Sequence, residues 1–183
     1  MSSHKIALFA ILLALALGLH QVERLLPLPI LPYPGVKLGL GNLVTLVSLF
    51  ILSPREAGIF VVLRALLTSF ITGFSGLIFS LTGALLAFGV MCSLSYLWPQ
   101  YFSLAVVSIA GATAHNLGQI LVASSLIGNF AIFYYLPVLM VSALLSGLAI
   151  GLTAILLLKA LHRSGVIPLH QRLLPLLMGN SKL

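Results

Sequence analysis

The sequence predicts an all-α membrane protein, a single bundle of six transmembrane helices. Three observations carry that expectation. Of 183 residues, 61% are hydrophobic and only 6% charged, whereas a soluble domain carries about a quarter charged residues. The whole chain holds two acidic side chains, Glu23 and Glu56, too few to build a water-facing surface, so lipid must solvate most of it. Apolar runs of the length needed to cross a bilayer, about 20 residues, follow one another with short connections between them.

Six spans fit the hydropathy, at about 5–22, 36–52, 56–73, 76–97, 102–127 and 136–160. The first is read as a retained helix. Its apolar run, Ile6 to Leu19, leads into His20, Gln21, Glu23 and Arg24 with no small-residue cleavage site. Between spans one and two, Pro27, Pro29, Pro32 and Pro34 exclude helix and make a stiff extended loop, either a lid over the bundle mouth or a plain spacer. Pro54-Arg55-Glu56 separates spans two and three, and Gly73 to Gly76 separates three and four. Trp98 and Tyr101 mark one membrane interface, and Phe130, Phe133, Tyr134 and Tyr135 the other. The chain divides into a six-helix domain, 1–160, and a tail, 161–183, expected as a short amphipathic segment on the inner membrane surface.

The net charge of +7 is scattered along the chain and forms no basic face, which argues against nucleic acid. It reads instead as membrane anchoring. With the N-terminus inside, Lys5, Arg55, Lys159, Arg163, Arg172 and Lys182 are cytoplasmic, and only Arg24 and Lys37 lie outside. Six against two favours both termini in the cytoplasm of a prokaryotic cell membrane.

The candidate functional residues are the polar groups inside the spans. Arg64 lies near the middle of span three, where a charge is costly and must face the bundle interior or a watery cavity. It is either the counter-charge of an anionic ligand or a structural partner of a helix end or an acid. Thr68 lies one turn on, on the same face. On span five, Gly111, His115 and Gln119 form one stripe spaced by four, with Asn116 beside it. These groups either pair across helices or line a site with Arg64. Span two carries Lys37 after Pro34-Gly35, then Asn42, Thr45 and Ser48. Free N–H groups at a helix start favour an anion, and the lysine adds to that. Lys37, Asn42, Arg64, His115, Asn116 and Gln119 are therefore the expected substrate-binding set, for an anion with an apolar or aromatic body. Glu23 and Arg24 read as interfacial. Small residues spaced by four, Ala10 and Ala14 on span one and Ala143, Gly147 and Gly151 on span six, allow close helix approach. Inside the bundle that is packing; on a lipid-facing side it is a docking surface.

Several classes are excluded. The sequence holds no Walker motif, no aspartate and hence no Ser–His–Asp set. Neither ATP hydrolysis nor an aspartate-rich magnesium–diphosphate site is available, and the chain is not expected to be an enzyme. The single cysteine, Cys92, excludes an internal disulfide. His115 and His20 alone do not make a metal site, so neither metal nor cofactor is expected.

Size, six spans, the alanine pair on span one and the loop before span two together resemble the S components of energy-coupling-factor transporters. PYPGVKLGLGN (Pro32–Asn42) and HNLGQ (His115–Gln119) look like the Gx transporter family, labelled heptaprenyl diphosphate synthase component I, over roughly residues 5–160. The resemblance implies a subunit that binds a micronutrient under its outer loops. Its partners would be a transmembrane coupling subunit and two ATPases, with Ala10 and Ala14 on the docking face. The family label suggests an isoprenoid- or quinone-related precursor, with a flavin or another phosphorylated precursor as the alternative. Two other readings stand beside it: a non-catalytic accessory subunit of a prenyl diphosphate or quinone pathway complex, and stand-alone transport driven by an ion gradient. The last is disfavoured because neither carboxylate sits mid-span.

Overall fold

The computed structural model describes residues 3–25, 38–165 and 169–178. Among them, every regular element is helical. The order is α1 (Ser3–Leu25), α2 (Leu40–Ile51), α3 (Pro54–Leu97), α4 (Leu104–Ile127), a 3₁₀ segment (Phe130–Tyr135), α5 (Leu136–Ser164), a 3₁₀ turn (Gln171–Leu173) and α6 (Leu174–Met178). Four helical stretches are long and apolar enough to cross a membrane: α1, α3, α4 and the run from Phe130 through α5.

The expected third and fourth spans form one continuous helical element, α3, of 44 residues. At 1.5 Å per residue a straight helix of that length would run about 66 Å, twice the hydrocarbon core. Gly73 resolves this. Its φ of 78° and ψ of 179° are non-helical, a positive φ that glycine adopts without Cβ strain. The chain doubles back there, so that Gly58 and Phe88, both on α3, come together: a Cβ on Gly58 would lie 3.4 Å from the Phe88 ring. The element is a helical hairpin, 54–72 against 74–97, and the expected separation into two arms survives without a loop.

The second expected span is shorter than its apolar run. The helix α2 has 12 residues, about 18 Å at the standard rise, and residues 26–37 lie outside the described segments. Every residue from Asn42 to Phe50 is buried. A helix that is apolar all round belongs in a core, and α2 is enclosed by α1, α3, α4 and α5. Its end is sharply defined. The Leu52 amide donates to Ser48 at 2.7 Å. Ser53 then starts α3 with a capping box: its hydroxyl accepts from the Glu56 amide, and Glu56 accepts from the Ser53 amide at 2.9 Å. Pro54 supplies the preset φ of a first helical residue.

Glycines set the closest helix crossings. A Cβ on Gly147 would lie 2.7 Å from the Ile109 Cα, and one on Gly151 2.6 Å from the Ala105 Cα, so α4 and α5 meet backbone to backbone. The face formed by Ala143, Gly147 and Gly151 is buried; it is a packing face inside the bundle. The alanines of α1 differ. Ala10 and Ala14 are both exposed, beside Ile6, Ile11 and Leu15, each more than half exposed.

The tail does more than lie on a surface. The His170 amide donates to the Phe50 carbonyl at 2.8 Å, covering a C-terminal carbonyl of α2. The His170 ring meets Tyr96 edge to face at 6.0 Å. Leu173, Leu176 and Leu177 are buried in the main hydrophobic cluster, while Gln171, Arg172 and Pro175 face outward. Lys5 reaches Glu56 at 3.7 Å, so the start of α1, the start of α3 and the tail share one end of the bundle.

Candidate functional site: a cavity around Arg64

The opposite end of the bundle holds a cavity of about 710 Å³, the size of a site for a drug-sized molecule. Its walls come from six elements, the 3₁₀ segment contributing Ile132 and Tyr135. The last turns of α1 give His20 and Glu23, and the start of α2 gives Gly39, Gly41 and Asn42. The hairpin gives Arg64, Thr68 and Thr72 from its first arm and Ser75, Phe79 and Ser80 from its second. The inner side of α4 gives Ser108, Ala112, His115, Asn116 and Gln119, and α5 closes the far side with Leu139, Gly147 and Ile150.

Each polar group is placed by a local device. Arg64 is ten residues into α3, about 15 Å along the axis, and only 8% exposed. A Cβ on Gly41 would collide with the Arg64 Nη1 atom, so the glycine is what lets the guanidinium lie against the start of α2. Thr68, one turn on, spends its hydroxyl on the Arg64 carbonyl at 2.8 Å. Gly83 performs the same service for His115: a Cβ there would sit 2.9 Å from the imidazole. Asn116 donates from Nδ2 to the Leu139 carbonyl at 2.8 Å and thereby ties α4 to α5 while bordering the cavity.

The electrostatics are unbalanced at one point. The guanidinium of Arg64 has five donors in a planar fork, yet no group among the described residues accepts a hydrogen bond from it. Neither carboxylate pairs with it. Glu56 is engaged by Ser53 and Lys5 at the other end of the bundle. Glu23 lines the same cavity and is near enough to interact electrostatically, but its Oε1 accepts from the Gly39 amide at 2.6 Å. Ion pairs within 4.0 Å among the described residues do not include Arg64 with Glu23. A cation without an acceptor in a low-dielectric interior is costly, and a bound anion relieves that cost.

Of the six residues expected from sequence, five line this one cavity: Asn42, Arg64, His115, Asn116 and Gln119. Lys37 lies outside the described residues, as does the proline-rich loop. Glu23, read from sequence as mainly interfacial, and Gly41, which carries no signal of its own, also line the cavity. The signal for Glu23 was available: His20 and Glu23 lie three apart on one helical face, and Glu23 is one of two acids in the chain. Among the described residues, no three His, Cys or carboxylate side chains gather as a metal site.

Fold and cavity define a helical membrane protein with a largely apolar pocket between its helices that carries a few polar and charged groups. The family follows from comparison: residues 12–157 match the family model for heptaprenyl diphosphate synthase component I. The chain belongs to that family. No curated protein and no solved structure matches it.

Proposed function

We propose that the protein is the substrate-binding membrane subunit of an ATP-driven importer of the energy-coupling-factor type, holding a small amphipathic anion-bearing molecule at Arg64. One observation carries this reading: a guanidinium 8% exposed, with no acceptor among the described residues, faces a cavity of about 710 Å³. A purely structural arginine would be spent on a carboxylate or a helix end. Asn42, His115 and Gln119 supply further hydrogen-bonding groups around the ligand, and Phe79, Leu139 and Ile150 supply the apolar wall. Asn116 holds the wall in place through Leu139.

The coupling subunit would dock on the exposed face of α1 that carries Ala10 and Ala14, small residues that allow a second membrane helix to approach closely. The ATPases would supply the energy, since this chain has no phosphate-binding loop. The cationic residues near Lys5, Lys159 and Arg172 favour a cytoplasmic position for the end that carries both Ser3 and the tail, which points the cavity outward.

The test is recovery of the tagged protein from its own membranes in mild detergent, with bound proteins identified. A coupling membrane subunit and two ATPases are the expected companions. The family description favours a second reading, a non-catalytic membrane component of a heptaprenyl diphosphate synthase assembly. Recovery of a prenyl-transferring enzyme without ATPases would replace the importer reading with that one.

A further inference from the structure

Resting on the reading of this cavity as a solute site, we infer that its ligand is zwitterionic, with a single anionic group for Arg64 and a cationic group for Glu23. Among the described lining residues, Arg64 is the one permanent cation and Glu23 the one carboxylate. They face one space without closing on each other as an ion pair. Glu23 uses Oε1 on the Gly39 amide, which fixes the carboxylate at the cavity rim and leaves its other oxygen for a ligand. The missing side chain of Gly41 leaves room for the Arg64 guanidinium against the start of α2.

Two opposite charges held apart discriminate by ligand charge. A ligand with a compact double or triple negative charge, such as a diphosphate, would enter a wall whose described charges sum to zero. Among the described residues its excess charge would find no counter-charge, and Glu23 would repel it. A simple monoanion would satisfy Arg64 and still face Glu23. A simple cation would leave Arg64 as it is. A molecule with both charges satisfies the buried Arg64 and the half-buried Glu23 and adds no net charge to the cavity. Its body would lie against Phe79, Leu139 and Ile150. The ligand class is therefore an ammonium carboxylate or a close equivalent with an apolar or aromatic body.

The test uses four probes on the purified full-length chain in detergent: phenylalanine, its deaminated acid, its decarboxylated amine, and isopentenyl diphosphate. Affinities are read by thermal shift and confirmed with radiolabelled probe. In the wild type, phenylalanine should bind at least about tenfold more tightly than any of the other three, about 1.4 kcal/mol. Glu23→Gln keeps an oxygen for the Gly39 amide and removes the charge. It should erase the preference for phenylalanine over the deaminated acid. Arg64→Gln should abolish binding of the acid and weaken phenylalanine at least about tenfold. Unliganded melting temperatures within a few degrees of wild type establish that both variants fold. Tighter wild-type binding of the acid or the diphosphate than of phenylalanine overturns the inference, as does an unchanged acid-to-zwitterion ratio in Glu23→Gln. Absence of saturable binding of every probe at millimolar concentration also overturns it, since all four are small enough for the cavity. None of these results touches the importer reading, which the membrane pull-down decides.

Discussion

Gly41→Ala separates the stability of the bundle from the competence of the cavity. The new methyl group would occupy the place of the Arg64 Nη1 atom and come within 3.2 Å of its Cζ. The neighbour is the far end of a flexible side chain, so the guanidinium moves and the backbone does not. Within α2, alanine in place of glycine is worth up to about 1 kcal/mol of helix propensity. The melting temperature of the unliganded protein should therefore hold or rise. Binding should fall, because a charged hydrogen bond misplaced by an ångström or more forfeits much of its value. A loss of about 2–3 kcal/mol is expected, which is about 30- to 150-fold in affinity. The assay is the amount of small molecule that co-purifies with the protein, measured by mass spectrometry, beside its melting temperature. Arg64→Ala is the reference for complete loss. If Gly41→Ala retains its ligand at the wild-type level, the position of Arg64 against α2 is irrelevant to binding. If it melts several degrees lower instead, Gly41 is a packing residue and its place in the site argument falls.

Four further outcomes are expected. Gly147→Ala sets a methyl 2.7 Å from the Ile109 Cα; backbone cannot yield as a side chain can, and the loss should be about 1–3 kcal/mol, read as a lower melting temperature in detergent. Ser53→Ala removes the hydroxyl that caps α3 and should cost about 1 kcal/mol, with Ser53→Asp recovering most of it. Asn116→Ala breaks the tie to Leu139; with membrane hydrogen bonds averaging about 0.6 kcal/mol, the melting temperature should change little while ligand retention falls. Truncation after Gly165 removes Leu173, Leu176 and Leu177 from the core; at about 1.5–3 kcal/mol per buried leucine as an upper bound, it should destabilise the protein more than any of the point substitutions, by thermal unfolding.

Much of this architecture is written in composition. Bilayer thickness and the cost of an unsatisfied backbone leave helix as the outcome for long apolar runs, and the runs around α1, α4 and α5 were therefore plain. The meeting of the polar residues was plain for a related reason: a membrane helix has nowhere to put an arginine or a glutamine except toward other helices, so Arg64, His115 and Gln119 had to converge. What could not be read is whatever depends on distance. Gly73 looks like a loop residue in sequence, yet here the helix hydrogen bonds resume immediately and the hairpin needs no loop. The apolar run from residue 36 promises a full span, and its length says nothing of where α2 begins. Gly41 carries no signal of its own, because its role is to be missing an atom beside a residue 23 positions later. The tail reads as an interfacial amphipath from its spaced cations, while its docking depends on the Phe50 carbonyl being within reach of His170.

The shortness of α2 bears on how the chain is made. At about 18 Å it cannot span the hydrocarbon by itself, and apart from α1 its buried surface has no partner until the hairpin, α4 and α5 have been synthesised. Its exposed C-terminal carbonyl at Phe50 waits still longer, for His170. The ribosome thus delivers the centre of the bundle early and the groups that enclose it last. Assembly in the membrane becomes a post-insertional event: helices that are stable alone, such as α1, enter first. The cavity comes into being only when nearly the whole polypeptide has left the ribosome, so a prematurely terminated chain would carry Arg64 without the walls that give it a purpose.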